Sequence, residues 1–502
     1  MNLFETIRSR IASPARLFIV KADGTTLSYG DMLDRTAQLA NALVLAGVEP
    51  GDRVAAQVEK TVENLLLYLA TLRVGAVYLP LNTAYTLNEL DYFIGDAEPR
   101  LVVCDPSKRD GLAELAGKRG VASVETLDAK GRGSLIDAAS KAPTDFADVP
   151  RSDEDLAAIL YTSGTTGRSK GAMLTHRNLA SNAETLREYW RFTDQDVLLH
   201  ALPIYHTHGL FVASNTLMFA GGSMIFLSKF DADEVMRYLP KATSMMGVPT
   251  FYTRLLRHPG LTKAACAHMR LFTSGSAPML AETHDEFRAK TGHAILERYG
   301  MTVTNMSTSK PFDGERIAGT VGFPLPGVDV RIAEADSGKV LPQGEIGVIE
   351  VKGPNVFPGY WRMPDKTKAE FRADGFFITG DVGKIDDRGY VHIVGRAKDL
   401  IITGGFNVYP KEVESEIDAL PGVIESAVIG CPHPDFGEGV TAIVVLKKDS
   451  IGDEKAIIAD LEGRLAKFKL PKRVIFVDDL PRNTMGKVQK NVLREQNAKL
   501  YS

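Results

Sequence analysis

The stretch YTSGTTGRSKG, Tyr161–Gly171, holds three glycines, three threonines and two serines, and its lysine stands directly before the final glycine. Glycine lets backbone N–H groups crowd around an anion, and short hydroxyls add donors without bulk, so the loop suits phosphate. The spacing is not that of G-x-x-x-x-G-K-[ST]. Counted from Gly164, Ser169 stands where the second glycine would be, and Lys170 is followed by Gly171 rather than serine or threonine. Taken alone, such a cluster equally marks a surface turn, so the surrounding chain has to decide.

Outward from this loop, helix and strand patterns alternate over the first two-thirds of the chain. LDRTAQLANALVLAGV reads as an amphipathic helix ending at Gly47, and DRVAAQV as a short strand. VENLLLYLATLRVG and AVYLPL repeat the alternation, and NELDYFIGDAEPRLVVCD is again a helix followed by a strand. This rhythm predicts α/β architecture with much parallel sheet. From about Ala318 glycine-rich turns separate shorter β-like runs, GVDVRIAE, GEIGVIEVKG and GYVHIVG. A compact tail follows. KEVESEIDAL, ESAVIGC, TAIVVLKK, EKAIIADLEGRLAKF and RVIFVDDL read as α-β-β-α-β. The expected boundary lies at Arg396, dividing the chain into residues 1–395 and 396–502.

The composition sets bounds. A chain of 502 residues is too long for one core. Its net charge of −4 points to neither nucleic acid nor an anionic membrane. Cys104, Cys266 and Cys431 lie far apart, which argues against a disulfide framework or zinc site and for a reducing compartment, the cytoplasm. MNLFETIRSRIAS reads as a surface helix rather than a leader. LLLYLATLRVGAVYLPL is broken by Arg73 and Pro80 and reads as a helix and a buried strand, not a membrane span.

Six segments taken in order carry more information than any one. They are YTSGTTGRSKG, PIYHTHGL, SGSAPM, ERYGMT, TGDVGKIDDRGY with GRAKDLIITGGFNVYP, and PRNTMGKVQK. Together they resemble the acyl-adenylate-forming superfamily, which includes acyl-CoA synthetases, peptide-synthetase adenylation domains and luciferases. Within it the chain is most similar to malonyl-CoA synthetases. The resemblance implies a large N-terminal domain of α/β subdomains with a β-rich subdomain, binding ATP and the acid. It also implies a small mobile α+β C-terminal domain carrying a catalytic lysine.

The resemblance also implies site residues. Thr162, Ser163, Gly164, Thr165, Thr166, Gly167 and Lys170 would close over the ATP phosphates, with Ser169 where the family usually has proline. Ser274, Gly275, Ser276, Ala277 and Pro278 follow an apolar run, at the end of a strand where open α/β sheets bind ligands. Adenine would lie between this turn and Glu297, Arg298, Tyr299, Gly300 and Met301, with Tyr299 stacking on the base. Thr302 would meet the α-phosphate. The family's next residue is a glutamate that helps hold Mg²⁺, and here it is Val303. Valine cannot bind a hard cation, so no protein residue is assigned to the metal. Asp381 and Arg396 would hold the ribose. Lys398 would be the hinge, and Lys398, Gly404, Gly405 and Phe406 would border coenzyme A. Lys487 follows Met-Gly in the family pattern and would bring a cation to the α-phosphate. A lysine acetyltransferase acting on Lys487 is the expected regulatory partner.

On the acid side, His206 matches the family histidine at the carboxylate entry, with Thr207 and Met306 as pocket wall. Two histidines at i, i+2 without a carboxylate or thiol nearby do not make a metal site. In PTFYTRLL, Phe251, Arg254 and Leu255 are spaced to share one helix face. In the superfamily this helix borders the acyl pocket, and the resemblance to malonyl-CoA synthetases implies that the Arg254 guanidinium grips malonate's second carboxylate, with Ser276 adding a donor. The expected function is ATP-dependent ligation of malonate to coenzyme A through malonyl-AMP. Alternatives are methylmalonate, acetate or propionate as the acid, a carrier-loading adenylation domain, and a nucleotide-binding protein impaired by Val303. Only fifteen residues follow Lys487, so a fused carrier domain is not expected.

Overall fold

Parallel strands dominate the N-terminal two-thirds of the chain, as the alternating pattern predicts. The computed structural model describes residues 1–162, 169–404, 406–448, 450–462, 464–483 and 486–501, with only the backbone of Asn407. Ser163, Gly164, Thr165, Thr166, Gly167 and Gly405 lie outside the described residues. The chain divides into two compact units, Met1–Asp329 with Val351–Phe377, and Val330–Glu350 with Ile378–Ser502.

Among the described residues of the first unit, a nine-stranded sheet has six parallel strands at its centre. They are, in spatial order, Leu17–Lys21, Ser223–Phe226, Val197–His200, Ser244–Gly247, Leu271–Ser274 and Leu296–Met301. A six-stranded sheet places Ser123–Thr126, Leu101–Cys104, Arg53–Gln57, Val77–Pro80 and Leu156–Thr162 in parallel. It closes with Lys170–Thr175 running antiparallel, and Thr162 pairs with Lys170. The described ends of the opening stretch, Tyr161–Thr162 and Lys170–Gly171, therefore lie on two paired antiparallel strands.

Burial explains the sequence texture. LVVC and VYLP are buried at every position, which is why they read as unbroken apolar runs rather than alternating ones. The helix Val62–Val74 is buried on all sides except at Glu63. Thr61 caps its start by accepting from the Asn64 amide, and Gly75 ends it at φ 73°, a left-handed conformation that glycine adopts without strain. Arg73 on this helix is buried yet saturated. Its Nε meets Asp148 at 2.6 Å, and its other nitrogens donate to Leu33 O, Thr36 Oγ1 and Phe146 O. The N-terminal helix, Leu3–Ser9, is not a loose surface element, because Leu3, Phe4 and Ile7 are fully buried.

The second unit holds a five-stranded sheet containing Val423–His433, Gly437–Leu446 and Arg473–Val477. Helices Pro410–Asp418 and Glu454–Leu461 complete the expected α-β-β-α-β order. Val413, Ile417, Val428, Val440, Val444 and Leu461 form its core. A short strand pair, Ile401–Thr403 with Phe406–Val408, and a last helix, Lys490–Gln496, were not legible as separate elements. Among the described residues no helix is long and apolar enough to cross a membrane.

Candidate active site

The parallel strands of the large sheet deliver their C-terminal ends to one place. Gly247 pairs with Ser274, and Ser274 with Glu297. The turn after Ser274 is tight. Ser276 adopts φ 70°, a left-handed conformation that costs a non-glycine residue strain. Its Oγ lies 3.2 Å from His208 Nδ1. Ala277 is half-buried and Pro278 exposed. At Gly275 a Cβ would overlap the Arg298 guanidinium, so this position needs glycine for space.

The neighbouring strand Leu296–Met301 alternates its side chains across the sheet. Glu297 forms a 2.6 Å ion pair with Lys310. Tyr299 is buried, and Gly300 lies so close to the Asn305 carbonyl and Met306 that no Cβ fits. Met301, which ends the strand, and Thr302, in the turn that follows, are half-buried.

Arg298 differs from the other buried cations. It is 4% exposed, as is Arg73, yet its Nε and Nη2 have no hydrogen-bond partner. Burial pushes its pKa down to about 9, and nearby Tyr252 offsets this slightly. Other buried groups also lack partners, namely Thr207 Oγ1, His208 Nε2 and Ser274 Oγ. His206 Nδ1 accepts from the His208 amide at 3.2 Å. Burial, then the charge of Arg298, lowers the His206 pKa to about 4. The same two causes, in that order, hold His208 well below its ordinary value. Both imidazoles are thus neutral at pH 7 and act as hydrogen-bonding groups rather than cations. Met306 is buried, with its backbone tied to Asn182 at 3.2 and 2.9 Å.

Arg254 departs from expectation. The helix Pro249–Leu256 forms, but it buries Tyr252, Leu255 and Leu256, while Arg254 is exposed. Phe251 is half-buried and stacks on Phe230 at 4.0 Å. The i, i+3, i+4 spacing does not make one buried face, because Arg254 falls at its margin. Among the described residues Arg254 has no ion-pair partner, and the buried guanidinium without one is that of Arg298.

Two further residues of the first unit are placed. Lys170 forms a 3.0 Å ion pair with Glu370 and lies over the Tyr360 ring at 4.2 Å. Val303 is 3% exposed and its carbonyl accepts from the Phe357 amide at 2.9 Å. Among the described residues no group of three His, Cys, Asp or Glu side chains could hold a metal ion. Nothing at position 303 fits Mg²⁺.

In the second unit Asp381 and Arg396 pair across adjacent strands, Oδ1 to Nε at 2.7 Å. Lys398 lies in the single 3₁₀ turn Ala397–Asp399. Asp399 is engaged by Arg494 at 2.6 Å. Lys487 has no ion-pair partner among the described residues. Its pKa is pushed down to about 8, first by desolvation and then by Arg396. The residue is exposed overall, so the shift reflects protein crowded around the ammonium rather than a dry site. Gly404 takes φ 56°, and Phe406, 55% exposed, stacks on Phe468 at 4.7 Å.

The family model for AMP-binding enzymes matches residues 8–361, and that for their C-terminal domain matches residues 412–487. The chain belongs to the AMP-binding enzyme family. Among its relatives, a feruloyl-CoA synthase of Amycolatopsis is 38% identical, with 95% of each chain covered. A mitochondrial malonate–CoA ligase of Mus musculus is 35% identical over 93% of this chain and 86% of its own. The crystal structure of ATP-bound MatB from Rhodopseudomonas palustris is 67% identical, with TM-score 0.98, over 100% of this chain and 99% of that one.

For this family member, sequence reasoning named Arg298 only as a neighbour of the adenine. Its unpartnered burial went unread. The available signal was period two: an arginine between Leu296 and Gly300 in a strand of the central sheet has one face or the other to enter, and both are covered.

Proposed function

We propose that the chain is an ATP-dependent, AMP-forming ligase that joins malonate to coenzyme A through malonyl-AMP. Arg298 carries this reading. A buried charge left unpaired costs several kcal/mol, about 3–5 by the usual measure of breaking a buried pair. Arg73, equally buried, avoids the cost through Asp148 and three other acceptors. Arg298 has two unpartnered nitrogens beside other unpartnered polar groups, so its counter-ion is a ligand. A guanidinium takes a carboxylate through two parallel N–H bonds. Malonate brings such a carboxylate in addition to the one that reacts. Malonate–CoA ligases among the relatives support the same acid.

The reaction proceeds in two displacements. An oxygen of the reacting carboxylate attacks the α-phosphorus, the bond to the bridging oxygen breaks, and pyrophosphate leaves with the electron pair. The coenzyme A thiolate then attacks the acyl carbon, and AMP leaves. Developing charge on the α-phosphate is met by the Thr302 hydroxyl and the Lys487 ammonium. Tyr299 and the turn Ser274–Pro278 hold the base, and Asp381 with Arg396 holds the ribose. Lys170 serves the phosphates once it leaves Glu370. His206, Thr207 and Met306 wall the acid. Residues 396–502 turn about Lys398 between the two steps, and Gly404, Gly405 and Phe406 border coenzyme A. Acetylation of Lys487 removes its charge and switches the first step off. The three cysteines are free and buried, which supports a reducing, cytoplasmic setting.

Pyrophosphate release with malonate, methylmalonate, propionate and acetate, with and without coenzyme A, tests the reading. Malonate is expected to give the highest kcat/KM, with thioester formed only when coenzyme A is present. A preference for propionate or acetate would overturn the assignment of Arg298, and absence of release with every acid would indicate a nucleotide-binding protein.

A further inference from the structure

A lysine amine is enclosed where the two large sheets of the first unit meet. Lys60 follows the strand Arg53–Gln57 and is 7% exposed. Its Nζ donates to the His200 carbonyl at 2.8 Å and lies 3.0 Å from His200 Nδ1. The Phe226 ring covers it at 4.3 Å. Among the described residues no carboxylate pairs with it. As core filling this is a poor choice, since methionine has the same reach without a group to desolvate.

His200 passes the contact on. Its Nε2 faces the Gly209 carbonyl at 3.0 Å and Ser214 Oγ at 3.1 Å. A carbonyl only accepts, so Nε2 carries the proton and Nδ1 offers its lone pair to Lys60. Ser214 Oγ donates to the same carbonyl at 2.8 Å. Gly209 sits in the π-helical stretch His208–Asn215, directly after His208, and a Cβ there would overlap the Pro203 carbonyl. Wide helical turns of this kind recur at functional sites. The far end of the stretch is tied down as well, with Asn215 bonded to Tyr68 Oη at 3.2 and 3.3 Å. The segment that carries Thr207 and sets His208 against Ser276 is therefore suspended at Gly209 from His200, and His200 from Lys60.

We propose that Lys60 and His200 are positioning residues that hold the Gly209 carbonyl and so set where His206, Thr207 and His208 meet the acid. This rests on the reading that the histidine segment borders the acid pocket. The test uses the full chain with Lys60→Met, His200→Gln and His200→Phe, measuring pyrophosphate release with acid and ATP varied separately, and Tm. The acid is the one wild type adenylates best. A wrong assignment of malonate therefore shows in the wild-type panel, while a wrong assignment of positioning shows in the variants. Lys60→Met and His200→Phe are expected to raise KM for the acid about tenfold or more and to leave KM for ATP within about twofold. Lys60→Met should keep or raise Tm. His200→Gln, which retains a donor and an acceptor, should stay nearer wild type than His200→Phe. An unchanged acid KM in Lys60→Met overturns the proposal, as does a rise in both KM values together with a lower Tm. If Lys60→Met does not fold, equal acid KM values for His200→Gln and His200→Phe overturn it.

Discussion

A side chain at Gly275 would begin inside the space occupied by the Arg298 guanidinium. Gly275 is needed for that closeness and not for backbone freedom, because its φ is not among the positive ones. The overlapping atoms belong to the end of a flexible side chain, so Gly275→Ala should fold and push the guanidinium aside. Its kcat/KM for malonate is expected to fall by roughly 10–100-fold, with Tm within a few degrees of wild type. Normal malonate kinetics in Gly275→Ala would separate Arg298 from the acid.

Arg298→Ala removes the counter-charge itself. With malonate, kcat/KM should drop by about 10²–10³-fold, the effect of roughly 3–5 kcal/mol at a buried carboxylate, partly relieved by solvent. With propionate, which has no second carboxylate, activity should hold or improve. Arg254→Ala should resemble wild type with both acids, since Arg254 is exposed. A malonate-specific loss in Arg254→Ala, with none in Arg298→Ala, would return the role to the helix Pro249–Leu256.

Lys487 makes two separable predictions. Lys487→Ala should abolish adenylation by orders of magnitude while thioester formation from supplied malonyl-AMP persists. With its pKa lowered to about 8, the ammonium loses its charge as pH rises past that value, well before an ordinary lysine would. Adenylation in wild type should therefore decline above about pH 8, with thioester formation from supplied malonyl-AMP unaffected by this group. A flat adenylation profile to pH 10 would exclude Lys487 as the titrating cation.

Val303→Glu puts a carboxylate at a buried position, so Tm without ligand should fall by several degrees. If the position faces bound MgATP, saturating MgATP should restore Tm and lower the Mg²⁺ needed for half-maximal adenylation. Thermal melts with ATP at graded Mg²⁺ give the answer. No recovery would mean that the position never faces the metal.

Acid should destabilise the chain through His176. Its Nδ1 accepts from the Leu3 amide at 3.0 Å, and burial lowers its pKa from 6.5 to about 4. The folded value is depressed, so the unfolded chain binds the proton first. Stability is full above about pH 6.5 and declines as pH falls towards 4, by up to roughly 3 kcal/mol from this group. His176→Gln, which keeps an acceptor but does not titrate, should flatten that part of the stability profile in urea melts. An unaltered slope would assign the acid sensitivity to other groups.

Much of the fold is legible locally. LVVC and VYLP announce buried parallel strands, and VENLLLYLATLRV a buried helix, because periodicity and capping act over a few residues. The ordered motifs place Ser274–Pro278, Tyr299, Asp381 and Lys487 in one family by kind and spacing. What the sequence by itself determined is therefore the architecture and the reaction class. Only the tertiary structure decided which charges are satisfied. Lys170 meets Glu370 across 200 positions, and Lys60 meets His200 across 140. Arg73 and Arg298 are equally buried, and no pattern along the chain says that one is saturated and the other not. Desolvation depends on every element packed around a group, and a partner for a buried charge can come from any of them. Periodicity reports only which way a side chain leaves its own helix or strand.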